Sequence, residues 1–306
     1  MMKKQVEKAD ITPNRGSLVV AWVATLLVST LAVVFWNSVA PGVMDWWPWV
    51  PTVGLIVLLA LAFASSSLRP LRPFLVILLI IFLCGYGGGW NWGLLLVVRD
   101  SSLGPVLQNQ TPLSVGIHLL RLTPALIIIV FLVLLGRRRP DFFLIKGKIN
   151  APVEPSKLIN SKETDTWVKI GSIFAVVFSV VTLAYLFMAT RPTLNDFVNG
   201  LPLIPVAVLI AAINAFNEEF TLRAAPLSEL WKVLGKHQAL LITAIYFGLG
   251  HFYGVPNSII GVILSTFLGW FLGKSLLETK GFFWAWTIHF VQDAFIFTFF
   301  AIGVMT

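Results

Sequence analysis

The chain has 306 residues, of which 57% are hydrophobic and only 12% are charged. Soluble domains carry about a quarter charged residues, so this composition excludes an ordinary soluble protein. The formal net charge of +8 would suit a nucleic-acid partner, but the distribution of the basic residues favours a different explanation.

Apolar blocks of about 20 residues recur along the chain, and such blocks are long enough to cross a bilayer as helices. They are continuously apolar, whereas the strands of a membrane barrel alternate between apolar and polar residues. The pattern therefore predicts an all-α polytopic membrane protein with about nine transmembrane helices. The predicted spans are 17–38, 51–67, 73–95, 114–136, 167–190, 201–231, 238–254, 256–273 and 281–303.

If the N-terminus is cytoplasmic, most of the 22 Lys and Arg residues fall in loops on the cytoplasmic side of these spans. Cytoplasmic loops of membrane proteins carry such an excess of basic residues. This asymmetry accounts for the positive net charge of a protein that lies in a lipid bilayer. We therefore expect no nucleic-acid partner. The asymmetry predicts a multi-pass plasma-membrane protein with a cytoplasmic N-terminus, and the absence of organelle signals favours a bacterial source.

A polar, proline-containing stretch separates the apolar blocks into two groups. It lies between Arg137 and Trp167 and contains Pro140, Pro152 and Pro155. We predict an N-terminal four-helix membrane region over 1–140, a cytoplasmic linker over 141–166, and a second membrane region over 167–306.

Two ionisable residues of the front region, His118 and Arg121, lie three apart and so share one helical face. Ionisable groups inside membranes often mark functional sites. Both residues are close to the start of their predicted span, where long side chains can extend to the interface. We favour this second interpretation, in which they are not part of a site.

Three polar clusters interrupt otherwise apolar helices of the back region: EEFTLR at 218–223, FGLGH at 247–251 and HFVQD at 289–293. An acidic residue at the centre of a membrane helix costs about 2.5–3.5 kcal/mol on insertion scales. The chain keeps three such acids, so the sequence predicts that they are compensated by partners or used in chemistry.

The spacing within each cluster indicates which side chains can interact. Glu219 and Arg223 are four apart and can form an ion pair along one helix face, and His289 and Asp293 have the same spacing. Glu218 is rotated by about 100° from Glu219 and can point into a cavity. At about 1.5 Å per residue, the three clusters lie at similar depth, so we expect them to meet.

The motifs EExxxR, FxxxH and HxxxD, in this order on successive helices, resemble those of the CPBP (Abi) family of CAAX prenyl endopeptidases and bacteriocin-processing proteases. The resemblance covers residues 167–306 and implies that they form a CPBP-like intramembrane protease domain. The site residues that it implies are Glu218, Glu219, Arg223, His251, His289 and Asp293.

The resemblance implies an intramembrane endopeptidase that acts on membrane-associated peptides or proteins, either CAAX-type tails or leader and bacteriocin peptides. A water held between Glu218 and His251 would attack the peptide bond, while His289 would stabilise the oxyanion. Many family members have asparagine at position 293; an ionised aspartate cannot donate a hydrogen bond, so we expect Asp293 to orient His289.

The mechanism is either of the glutamate type without a cofactor or of the metallo type with zinc. In the second case the ligands would be Glu218, His251 and His289. Two other function classes also place such residues inside a membrane. One is a proton-coupled transporter, and the other is a non-catalytic immunity or partner-binding protein.

Overall fold

The computed structural model describes residues 13–39, 49–85, 93–107 and 113–305. In these ranges the chain is helical, and its β-structure consists of isolated bridges. The basic residues Lys3, Lys4 and Lys8, on which the predicted orientation partly rests, lie outside the described residues. The helices of the front region are α1 (Arg15–Leu27), α2 (Thr30–Val39), α3 (Trp49–Ala64), α4 (Arg72–Leu83), α5 (Gly93–Arg99), α6 (Gly104–Leu107), α7 (Val115–Leu120) and α8 (Thr123–Leu134).

The helices of the back region follow a segment of short 3-10 turns. They are α9 (Trp167–Thr190), α10 (Leu194–Gly200), α11 (Ile204–Glu218), α12 (Ala225–Gly250), α13 (Ser258–Thr279) and α14 (Phe283–Ala301). A π-helical turn, Glu219–Ala224, joins α11 to α12. In this half α12 packs on α13, and α11 packs along α14.

Within the described ranges, four helical segments are long and apolar enough to cross a membrane, or five if the bent pair α1–α2 forms one span. The protein is therefore a multi-pass membrane protein, but the predicted count of about nine spans is not confirmed. Two features lower the count. The helices α1 and α2 are bent by 61°, and the predicted spans 201–231 and 238–254 fall within one helical segment, Leu194–Tyr253, which counts once.

The predicted boundary between spans 201–231 and 238–254 coincides with a break inside α12 at Gly235, which has φ 75° and ψ 170°. Glycine adopts such a positive φ readily because it has no Cβ. Arg223 and Phe247, each twelve positions from Gly235, are in contact, with the guanidinium carbon 4.1 Å from the ring centroid. The chain thus reverses at Gly235, and this reversal brings the first and second motifs together.

The two parts of α12 before and after Gly235 form a hairpin. Close packing against α13 fixes its second arm, the part of α12 that follows Gly235. A Cβ at Gly269 would lie 3.2 Å from the Phe247 ring, and one at Gly273 would lie 2.9 Å from Leu240. Larger residues at these two positions would push the arm away from α13. The small residues of α13 therefore set the position of Phe247, which lies in the candidate site.

The segment predicted as a linker, 141–166, packs against the back region. The Phe142 ring is fully buried and lies edge-on to Phe220 of the π turn, at 6.0 Å. The Trp284 indole N–H donates to the Ile149 carbonyl at 2.9 Å, and the Phe282 N–H donates to the Ile145 carbonyl at 2.7 Å. These contacts tie the segment to the start of α14.

A buried charge cluster at the end of α13 completes this docking. Glu278 is paired with Lys274 and Lys236, and it accepts a hydrogen bond from the Trp167 indole N–H at 2.9 Å. Lys274 also donates to the Glu154 carbonyl at 3.0 Å. Lys274 and Glu278 are almost fully buried.

We expect Glu278→Ala to lower the unfolding free energy by about 3–5 kcal/mol, because it leaves the Lys274 ammonium buried with only a carbonyl partner. Unfolding in mixed detergent measures the change. Glu163→Ala is the matched control, since Glu163 is an exposed glutamate of the docked segment. Equal stability of the two variants would contradict a structural role for the cluster.

Candidate active site

The first motif lies where α11 passes into the π turn. Glu218 is the last residue of α11, and the turn Glu219–Ala224 precedes Pro226 in the first turn of α12. Proline cannot donate an α-helical hydrogen bond, and its ring crowds the carbonyl four residues earlier. This accounts for a widened turn just before it. Such π-helical turns are frequent at functional sites.

Glu219 is fully buried and is the centre of a charged group. It forms an ion pair with Arg223, which is also fully buried, as the spacing of the motif predicts. Its Oε1 also accepts a hydrogen bond from His289 Nδ1 at 2.6 Å. The guanidinium of Arg223 stacks on the Phe247 ring, so this arginine connects the first motif to the second.

Glu218 is connected to the third motif through Asn214, which lies one turn earlier on α11. The Asn214 amide nitrogen donates to Glu218 Oε1 at 3.1 Å and to Asp293 Oδ2 at 3.0 Å. The other oxygen of Glu218, Oε2, lies 3.8 Å from His289 Nε2. Oε1 of Glu218 is therefore hydrogen-bonded to Asn214, whereas Oε2 faces His289.

His251 follows the end of α12, and its Nδ1 lies 3.0 Å from the Phe247 carbonyl. A carbonyl only accepts hydrogen bonds, so Nδ1 carries the proton and Nε2 of the neutral ring is an acceptor. The Phe247 ring contacts His251 at 4.4 Å and His289 at 5.7 Å, between centroids. Both imidazoles therefore lie against one aromatic ring.

All six predicted site residues thus lie in one region, but the expected partner of His289 differs. His289 Nδ1 donates its hydrogen bond to Glu219, which lies in the π turn and not on α14. Asp293 Oδ1 lies 3.6 Å from His289 Nε2, which is beyond hydrogen-bond distance. The four-residue spacing places Asp293 near His289, but the packing of α11 against α14 gives the closer contact to Glu219.

Arg121 is a site residue that the sequence analysis did not assign. Its Nη1 donates to Asn214 Oδ1 at 2.9 Å, and its Nη2 lies 3.4 Å from Glu218 Oε1. The interpretation that Arg121 extends to the membrane interface is therefore wrong. The sequence feature that could have indicated this position is the helix face that His118 and Arg121 share. His118 is buried, and its ring lies edge-on to Phe297 of α14, with 5.2 Å between the centroids.

The zinc alternative can be compared with the positions of the donor groups. In the part of the chain that the structure describes, no three His, Cys, Asp or Glu side chains are arranged to hold a metal ion. His289 Nδ1 is committed to Glu219, and His251 Nδ1 to a carbonyl. These contacts leave Nε2 of each imidazole as the nitrogen that can face a water molecule, a substrate or a metal ion.

The geometry places two histidines and three acids from separate helices in one partly enclosed region of a membrane protein. Residues 200–295 match the family described as Type II CAAX prenyl endopeptidase Rce1-like. This match confirms the family predicted from the three motifs. No curated protein and no solved structure gives a significant match to the chain.

The matched residues begin just before α11 and end within α14, so they include all three motifs. Because CAAX endopeptidases are proteases, the match supports a peptidase of the intramembrane CAAX type. Arg121 and α7 lie outside the matched range. The contacts of Arg121 with Glu218 and Asn214 are therefore a feature that the family match does not describe.

Proposed function

We propose that the protein is an intramembrane endopeptidase of the glutamate type that hydrolyses peptide bonds of membrane-associated substrates. The observation that carries the proposal is that His251 and His289 lie against the same Phe247 ring while His289 lies beside both Glu218 and Glu219. Carboxylates and imidazoles are the groups that most often transfer protons in hydrolysis.

Glu218 and His251 activate the water in this mechanism. Each offers an acceptor, Oε2 of the carboxylate and Nε2 of the imidazole, and together they hold one water molecule. The water oxygen attacks the scissile carbonyl carbon while its proton passes to Glu218. The C–N bond then breaks, and the proton passes from Glu218 to the departing amine.

His289 stabilises the charge that develops on the carbonyl oxygen. Its Nδ1 is fixed by Glu219, so Nε2 is the nitrogen that can face the substrate. As an imidazolium, His289 donates Nε2–H to the oxyanion. The neighbouring carboxylates Glu218, Glu219 and Asp293 compensate its positive charge.

We infer that the substrates are CAAX-type tails or leader peptides that reach the site from a membrane surface. The family supports a CAAX-type substrate class, and the excess of basic residues in the loops on one side supports a cytoplasmic N-terminus and a cytoplasmic segment 141–166. The proposal includes a bacterial plasma membrane as the location. Assay of a prenylated peptide and of an unprenylated leader peptide separates the two substrate classes.

The test uses the purified protein in proteoliposomes with a fluorogenic prenylated peptide, and His251→Ala as the variant. We expect wild-type cleavage and a loss of about 100-fold in kcat for the variant, because the water loses one of its two acceptors. His237→Ala is the control, since His237 is exposed in the turn beside Gly235.

Two outcomes would contradict the proposal. A wild-type protein that conducts protons but cleaves neither class of peptide would be a transporter. A His251→Ala variant with full activity would remove His251 from the mechanism and would require another acceptor for the water.

A further inference from the structure

The site of a protease of this family lies within the matched residues 200–295, yet one guanidinium in this site comes from far outside them. Arg121 follows the short helix α7 and precedes the break before α8. Its side chain is 16% exposed, and that of its partner Glu218 is 13% exposed. An arginine at this depth, about 9 Å along the helix from Val115, is costly unless it has a specific partner.

The contact of Arg121 with Glu218 falls on one oxygen of the carboxylate. Oε1 receives Arg121 Nη2 at 3.4 Å and the Asn214 amide at 3.1 Å. The second oxygen, Oε2, faces His289. These two donors therefore fix the rotation of the carboxylate and direct Oε2 toward the position where a reacting water is expected.

Arg121 also fixes Asn214 itself. The Asn214 side-chain oxygen accepts from Arg121 Nη1 at 2.9 Å, so its nitrogen is the end that faces the acids. Through that nitrogen it bridges Glu218 and Asp293. One guanidinium thus sets the orientation of an amide that contacts the first and third motifs.

The charges near the site give a second reason for an arginine here. Glu219 is neutralised by Arg223 on its own helix, whereas the ion pair of Glu218 is with Arg121. Carboxylates close together in a medium of low dielectric repel each other, and a paired cation reduces that repulsion. The contact with Arg121 therefore offsets the repulsion between the Glu218 carboxylate and its acidic neighbours Glu219 and Asp293.

We propose that Arg121 is a positioning residue for Glu218, so that the front helices complete the active site of the back region. This inference rests on the proposed function, because it assigns Arg121 a role through the general base. Arg121 contacts the base and Asn214, and the inference gives it no contact with the substrate. The N-terminal helices then have a catalytic purpose in addition to membrane anchoring.

The chain offers a matched control for the structural alternative, in which Arg121 only joins the two halves. Arg137 is also a front-half arginine paired with a back-half glutamate: it binds Glu229 through Nε at 3.1 Å and Nη2 at 2.8 Å. Glu229 is on α12 beyond the π turn and is bound by Lys232 as well. Loss of Arg137 thus weakens the contact between the front and back regions at a place away from the site residues.

The experiment compares Arg121→Gln, Arg121→Lys and Arg137→Gln in the peptidase assay and in thermal unfolding of the full chain. For Arg121→Gln we expect kcat to fall about 100-fold while KM changes less than about threefold, because the base is affected and substrate contacts are not. Arg121→Lys retains the charge and is expected to recover most of this loss. Arg137→Gln is expected to lower the Tm with kcat unchanged.

Each alternative gives a different result. Full activity of Arg121→Gln, or activity losses in both Gln variants that follow their Tm, would make Arg121 a structural residue and overturn the inference. A rise in KM with kcat unchanged would make it a substrate-binding residue and would also overturn it. A wild-type protein that cleaves nothing would instead refute the proposed function, before any variant is compared.

Discussion

Replacement of Glu218 by glutamine is expected to lower kcat for peptide hydrolysis by about 10³-fold, within the range for loss of a general base. The side-chain amide has the shape of the carboxylate, and its oxygen can still accept from Asn214, which holds Oε1 at 3.1 Å. It cannot take a proton from water at neutral pH. The loss should therefore appear in kcat, with the fold and KM retained.

Glu229→Gln is the matched control for this variant. Glu229 is 3% exposed and is bound by Arg137 and Lys232, so the substitution also removes a buried carboxylate from an ion pair. We expect it to lower the Tm and leave kcat unchanged. Glu218→Gln with more than about a tenth of wild-type activity would show that another group accepts the proton of the water.

The helical spacing of the motifs allowed part of the site to be predicted. Glu219 and Arg223 pair because residues four apart share a helix face, and the pair is present. The reversal of the chain between the first and second motifs could also be predicted, because polar residues and a glycine separate two apolar blocks. The family itself was predictable because three short motifs occur in order on apolar helices.

Contacts between helices could not be predicted in this way. Arg121 and Glu218 are 97 positions apart, and no local pattern connects them. The partner of His289 depends on how α11 and its π turn rotate against α14, and that rotation gives the contact to Glu219. Residue spacing within α14 predicts only Asp293 as a neighbour of His289, and Asp293 lies farther from the ring than Glu219 does.

The number of spans was the least predictable feature of the fold. Hydropathy finds apolar segments, but it does not show where a helix bends. The turn between α1 and α2 lies inside one apolar block and bends the chain by 61°. The helix α14 carries His289, Gln292 and Asp293, so the residues that build the site also reduce its apolar character, and it is not among the four candidate spans.

Removal of Arg223 is expected to have the second large effect. Arg223→Met leaves the Glu219 carboxylate fully buried without its arginine, and the uncompensated charge should lower the unfolding free energy by about 3–5 kcal/mol. Activity should fall as well, by about 100-fold in kcat, because Glu219 no longer holds His289 in a fixed charge environment. Unfolding in mixed detergent and the peptidase assay measure the two effects.

The double variant Glu219→Gln/Arg223→Met separates stability from catalysis. It removes both charges, so most of the lost stability should return, as it does when a buried ion pair is replaced by uncharged groups. Activity should stay low, because a neutral amide beside His289 Nδ1 does not compensate an imidazolium. If the double variant recovers both stability and activity, the ion pair serves only helix packing, and the positioning of His289 must come from Asp293 and the Phe247 ring.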